Sequence, residues 1–152
     1  MVVCYVVRPT ADSRSHEFLQ MRRSANDYMG GTWQAVYGTS NVGETAWQAA
    51  VRELQEEAGL RARELYRVDC VETFYTAVSD TLWHAVPFVA LVSRDDEVRL
   101  NEEHDAVRWI ARDAVNDAFM WETDRQSIAL VCRDILDGSL AKPYLKIEVG
   151  NG

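Results

Sequence analysis

The run Gly38-Thr39-Ser40-Asn41-Val42-Gly43-Glu44-Thr45-Ala46-Trp47-Gln48-Ala49-Ala50-Val51-Arg52-Glu53-Leu54-Gln55-Glu56-Glu57-Ala58-Gly59-Leu60 divides into a polar loop and a proline-free helical segment. Thr45 followed by Gln48 is a capping-box pattern and predicts that a helix starts there. Gly59 then reads as its stop, because glycine takes the left-handed turn that ends many helices. On a helical wheel Trp47, Ala50, Val51, Leu54 and Ala58 share one side. Glu53, Glu56 and Glu57 fan over a neighbouring side, so the carboxylates lie beside the buried seam and not opposite it.

Three carboxylates that close repel one another, and Glu56 and Glu57 sit at the end of the helix that disfavours anions. Arg52, four residues before Glu56, offsets part of the repulsion. The remainder points to a cation supplied from outside. Oxygen ligands without His or Cys favour magnesium or manganese over zinc, and magnesium commonly binds through a few carboxylates plus substrate phosphates.

The same 23 residues fit G-x5-E-x7-R-E-U-x-E-E-x-G-U, with U a bulky aliphatic, at every specified position. This resembles the Nudix box of the Nudix hydrolases, which use divalent metal to cleave nucleoside diphosphates linked to another group. The resemblance implies an α/β fold, the α/β/α Nudix sandwich with a mixed central sheet, spanning residues 1–152 as one domain. It implies that Glu53, Glu56 and Glu57 hold metal, with the backbone carbonyl of Gly38 as a further ligand. By the same resemblance Arg52 orients the carboxylates and Glu44 ties the loop to the helix. The general base varies within the family and is assigned to Glu56 or to a glutamate outside the box.

Outside the box, Asn101-Glu102-Glu103-His104 followed by Arg108-Trp109 forms a second informative patch. Many Nudix proteins carry an acidic residue or a Glu-His pair just before a strand ending in Trp. Glu103, beside His104, is therefore the further metal ligand or base in preference to Glu102. Trp33-Gln34-Ala35-Val36-Tyr37-Gly38 departs from the Leu-Pro-Gly-Gly approach of many relatives. It looks more like the branch that acts on dATP and dihydroneopterin triphosphate. Tyr75, 16 residues beyond Gly59, has a spacing similar to that of diadenosine-polyphosphate hydrolases. Arg22 and Arg23 are candidates for substrate phosphate, and Trp33 and Tyr75 for the base.

Composition sets outer limits. At 152 residues and 47% hydrophobic content the chain is long enough for one core. A net charge of −8 argues against nonspecific binding to nucleic acid or membrane surfaces. No apolar run approaches the roughly 18 residues needed for a span, and the first eight residues lack a secretion signal. Cys4, Cys70 and Cys132 carry no C-x-x-C spacing and read as core thiols of a cytoplasmic protein.

Strands are expected at Val2 to Arg8, Glu17 to Arg23, Trp33 to Tyr37, Val68 to Val78, Leu82 to Ser93 and Ala106 to Ile110. Pro87 needs an edge or bulge position. Helices are expected at Arg112 to Ala118 and Thr123 to Asp137, the second opened by a Thr123/Gln126 capping box; a last strand is expected in Pro143 to Val149.

These readings predict a metal-dependent pyrophosphohydrolase for a nucleoside or pterin triphosphate. The alternatives are a dinucleoside polyphosphate hydrolase and, as a different class, a nucleotide-binding domain without turnover. Homodimers are frequent among relatives, which leaves that assembly open.

Overall fold

A computed structural model describes residues 1–150. Nine strands form the sheet, in the order β3-β2-β1-β7-β5-β9, with β4 paired to β1, β6 to β7 and β8 to β2. The ranges are β1 Val2–Pro9, β2 His16–Arg23, β3 Trp33–Gln34, β4 Val36–Gly38, β5 Glu64–Arg67, β6 Glu72–Thr76, β7 Thr81–Leu91, β8 His104–Ala111 and β9 Lys146–Ile147. The pairing of β1 with β7 is parallel and the others are antiparallel, so the sheet is mixed.

Helix α1 (Ala46–Ala58) covers one face; α2 (Val115–Ala118) and α3 (Glu122–Leu130) cover the other. Strand β1 explains this division. Val2, Cys4 and Val6 point into the α1 core, while Val3, Tyr5 and Val7 point into the α2/α3 core. A strand buried on both faces reads as an unbroken apolar run, as Val2 to Val7 does. The result is the α/β/α sandwich with a mixed sheet that the box implied.

β1 and β2 are joined only at Val7–Pro9 and His16–Phe18. Beyond that they splay, and the segment Trp33–Gly38 fills the opening: Trp33 and Gln34 pair with β2, and Val36 to Gly38 pair with β1. This wedge delivers Gly38 to the start of the box loop.

Several local expectations change. Strand β5 lies in Glu64–Arg67, and Val68 stands outside any strand. Pro87 lies within a central strand, in the gap where β7 has left β6 at Ala85 and has not yet met β5 at Phe88. A missing N–H costs nothing on that side, which is the physical equivalent of an edge. The Thr123/Gln126 capping box does not form: α3 begins at Glu122 with Trp121 before it, and no side chain caps its first turn. Gln126 bonds Glu122 instead. The helix continues through a wider π-helical segment, Val131–Leu136, towards Gly138 at φ +85°. The tail forms α4 (Lys142–Leu145) before its short strand β9.

Candidate active site

Helix α1 is fixed at both ends by the residues the sequence marked. The Thr45 side chain accepts from the Gln48 N–H, and Gln48 Oε1 accepts from the Thr45 N–H at 2.9 Å. Gly59 adopts φ +66° and its N–H donates to Gln55 O. A Cβ placed on Gly38 would overlap the Glu53 side chain, so only glycine lets this carboxylate lie against the loop backbone.

Arg52 fixes that arrangement. Its Nε and Nη2 donate to the two oxygens of Glu44 at 2.9 and 3.0 Å. Nη1 donates to Glu53 at 2.9 Å and to Glu56 at 3.1 Å, and Nη2 also donates to Thr39 O at 2.9 Å. All five guanidinium N–H groups are used. Glu44 in turn accepts from the Asn41 N–H at 2.9 Å and closes the loop. The Arg52 guanidinium and that N–H hold the Glu44 carboxyl below its usual range.

Glu57 stands apart from this clamp. It is 4% exposed and its Oε2 has no hydrogen-bond partner. Burial first, then the charges of Glu53 and Glu103, push its carboxyl up from 4.5 to about 9, against a smaller opposing effect of Arg23. Glu56, by contrast, is exposed.

Glu103 reaches the same region because its loop satisfies the open carbonyls at the end of α1. The Arg99 N–H donates to Ala58 O at 2.8 Å and the Asn101 N–H to Glu57 O at 3.4 Å. Asn101 Oδ1 then accepts from the Glu103 N–H at 3.1 Å, and Ser24 donates to the carbonyls of Glu102 and Glu103. Arg23 lies 3.7 Å from Glu103 and 3.9 Å from Asp27. His104 is buried behind Glu103, where burial lowers its pKa.

The structure thus brings together Gly38, Arg52, Glu53, Glu56, Glu57, Glu103 and Arg23. Arg22 pairs with Asp105 at 2.7 Å, and its guanidinium carbon lies 5.7 Å from the Trp33 ring centroid. Tyr75 is away from the box, exposed on the β6–β7 hairpin, with its hydroxyl donated to Asp80 at 2.9 Å. Cys4 is fully buried, whereas Cys70 and Cys132 are half-buried.

Sequence reasoning missed a second acidic feature on the other face of the sheet. Buried Glu72 and Asp124 meet around the Tyr5 hydroxyl, which lies 2.6 Å from Glu72 and 2.8 Å from Asp124. Tyr37 donates to Asp124, and Ser127 donates to Glu72 at 2.7 Å. Burial raises both carboxyls. In front of this network lies a cavity of about 240 Å³ lined by Tyr37, Phe74, Trp121, Glu122 and Thr123. One signal was present: Asp124 falls on the same helical stripe as Ile128, Val131 and Ile135, where an apolar residue is expected.

The box residues fit the divalent metal that the resemblance implies. The donors are all oxygen, one of them is buried without a partner, and glycine at position 38 lets the Glu53 carboxylate lie against the loop backbone. Among the described residues no group of three or more acidic, His or Cys side chains is already gathered closely enough to hold a metal ion. The arrangement is an open acidic shelf held in place by Arg52.

The model of the NUDIX domain matches residues 2–131. A Mycobacterium tuberculosis (strain ATCC 25618 / H37Rv) protein provisionally named 8-oxo-dGTP diphosphatase 3 is 36% identical over 110 residues, 72% of this chain and 50% of that protein. The asymmetrical bis(5'-nucleosyl)-tetraphosphatase of Sus scrofa is 34% identical over 110 residues, 69% of this chain and 71% of that protein. Some matches cover little of the relative, down to 23% of an octanoyltransferase of Myxococcus xanthus. Among solved structures, a binary complex of the C. elegans Ap4A hydrolase superposes with a TM-score of 0.73 at 23% identity, over 90% of this chain and 96% of that one. With the box geometry in place and the family model matching most of its length, this chain belongs to the NUDIX family.

Proposed function

We propose that the chain is a metal-dependent hydrolase that cleaves a phosphoanhydride bond in a nucleotide, with dinucleoside polyphosphates as its substrate class. The observation that carries the reaction type is Glu57: a buried carboxylate with a free oxygen, crowded by Glu53, Glu56 and Glu103, needs a cation to be stable in its ionised form. Glu53, Glu56, Glu57 and the Gly38 carbonyl would hold magnesium or manganese, with Glu103 joining them. When bound, the metal neutralises phosphate charge and lowers the pKa of a water.

The residues of the chain supply the rest. Arg52 keeps Glu53 and Glu56 turned toward the loop, and Arg23 beside Glu103 offers positive charge to a phosphate. A carboxylate, Glu56 or Glu103, takes a proton from the attacking water. The water oxygen forms a new bond to phosphorus as the anhydride P–O bond breaks, and the leaving phosphate departs with that electron pair. The aromatic cavity of Tyr37, Phe74 and Trp121 is suited to one nucleobase by its flat apolar walls.

The substrate class rests on the tetraphosphatase of Sus scrofa, which aligns over two thirds of both chains. On this relative, dinucleoside polyphosphates rank ahead of the dATP and dihydroneopterin triphosphate branch suggested by Trp33-Gln34. A nucleoside triphosphate remains the second reading, supported by the mycobacterial relative.

The test is hydrolysis of diadenosine polyphosphates, dNTPs, dihydroneopterin triphosphate and ADP-ribose, with and without magnesium, beside Glu56→Gln. Metal-dependent cleavage of a diadenosine polyphosphate is expected, with a loss of roughly 100-fold or more in the variant. Folded wild-type protein that binds these nucleotides and hydrolyses none would instead identify a binding domain.

A further inference from the structure

On the α2/α3 face of the sheet, beside an otherwise apolar cluster, one arginine stands out. Among the described residues Arg108 is the half-buried arginine that enters no ion pair; the other half-buried ones each meet a carboxylate. Asp105, three residues earlier on the same strand, is paired with Arg22. In a chain of net charge −8, leaving a guanidinium unneutralised in this position is a departure that asks for a cause.

The surroundings hold Arg108 in one pose. Gln20, directly opposite it across the β2–β8 ladder, has no exposed surface. The Gln20 Oε1 accepts from Arg108 Nε at 2.9 Å and Nη2 at 2.7 Å, and the Gln20 amide donates to Ala118 O at 3.1 Å. The guanidinium carbon lies 4.2 Å from the Trp33 ring centroid, reaching across β2. Burying an amide is unfavourable unless all its groups are paired. Gln20 is paired, and its acceptor is spent on orienting Arg108. Two of the five N–H groups are thereby used, and three remain for another partner. Burial also lowers the pKa of Arg108, as it does for a cation with no anion beside it.

We propose that Arg108 is a docking point for a phosphate of the substrate away from the bond that breaks, with Gln20 and Trp33 as its positioning residues. The inference rests on the hydrolase reading above and adds a basis for choosing substrates by the length of the phosphate chain. The register supports the placement. Arg23 and His104 pair at the Glu103 end of the ladder, and Gln20 and Arg108 pair three residues along β2, a backbone spacing of about 10 Å, with the Arg108 side chain on the α2/α3 face. That separation suits a group of the substrate beyond the reacting phosphorus. A pre-oriented guanidinium loses little freedom on binding, and phosphate matches its fork.

The experiment compares wild type with Arg108→Met, Arg108→Lys and Gln20→Met. Steady-state kinetics on diadenosine tetraphosphate and on a two-phosphate substrate, ADP-ribose, give one readout. Calorimetric binding of inorganic tripolyphosphate in EDTA at low ionic strength gives the other. Arg108→Met should raise KM for the tetraphosphate roughly 10- to 100-fold with kcat nearly unchanged, lose less on ADP-ribose, and weaken tripolyphosphate binding by a similar factor. Arg108→Lys and Gln20→Met should fall between. Unchanged KM and tripolyphosphate affinity in Arg108→Met, or a uniform loss on both substrates that follows a lowered Tm, would overturn the proposal. So would wild-type protein that binds no tripolyphosphate. If wild type turns over no nucleotide, the hydrolase reading fails, and tripolyphosphate binding still decides whether Arg108 is an anion site.

Discussion

Replacing Glu57 by Gln isolates the cost of the acidic shelf in the metal-free protein. The folded-state pKa of Glu57 is raised from 4.5 to about 9, so the protonated carboxyl is the form that folding favours. The stability this represents is fully present below about pH 4.5 and is lost as pH rises towards about 9. Each pH unit within that window costs about 1.4 kcal/mol, which amounts to about 3 kcal/mol at pH 7. Gln keeps the shape and removes the charge, so Glu57→Gln should escape the loss. In EDTA the variant should melt at the wild-type temperature near pH 4.5 and above it by roughly 6–12 °C at pH 7, given about 2–4 °C per kcal/mol for a chain of this size. Magnesium should narrow or reverse the difference, stabilising wild type with release of a proton and stabilising the variant, which keeps the other ligands, less. Thermal unfolding from pH 4.5 to 8, with and without the metal, measures all of this. A Tm difference that does not grow with pH in EDTA would refute the claim that buried, unpartnered charge at Glu57 is what the cation relieves.

Three further outcomes follow from the same geometry. Arg52→Lys replaces a five-donor fork with a point charge, so Glu53 and Glu56 lose their fixed orientation; kcat/KM should fall by roughly 100-fold while circular dichroism is unchanged. Gly38→Ala puts a methyl group where the Glu53 side chain lies; a comparable loss of kcat/KM is expected, and magnesium affinity by calorimetry should fall with it. Thr45→Ala removes the cap of α1 and should cost about 1 kcal/mol in urea unfolding, with the pH dependence assigned to Glu57 unaltered.

What could be read from the sequence was what is encoded locally. Helix α1 was legible because its cap, its stop and its apolar seam all lie within 15 residues, and because Arg52 meets Glu56 one turn on. The approach of Glu103 was not legible in the same way. It depends on backbone bonds from Arg99 and Asn101 to the end of a helix more than 40 residues earlier, and no side-chain pattern announces those. The start of α3 was misread because Thr123 and Gln126 imitate a capping box. The chain turns two residues sooner, where the Arg125 guanidinium collects the carbonyls of Phe119 and Met120. β5 was missed because four residues, Glu64–Arg67, are too few to show a period.

The balance of charge links the two faces of the sheet. The chain has 24 acidic residues and 16 basic ones, and most of the half-buried arginines are committed to carboxylates. Besides buried Glu72 and Asp124, which bond hydroxyl groups, two groups stand out. Glu57 is a buried carboxyl without a paired cation, which burial holds protonated, and Arg108 is a half-buried cation without an anion. Either alone would be a defect, since an unpaired charge away from water is unfavourable. They stand on elements joined through β2 and β8, whose Arg23–His104 end meets the acidic shelf and whose Gln20–Arg108 step lies further along. A polyphosphate carrying divalent cations where its bond is cut, and bare oxygens at its other end, complements both at once. A substrate that is only a monophosphate ester would meet one and leave the other exposed. If Arg108 docks a phosphate as proposed, it is the feature that selects a long phosphate chain.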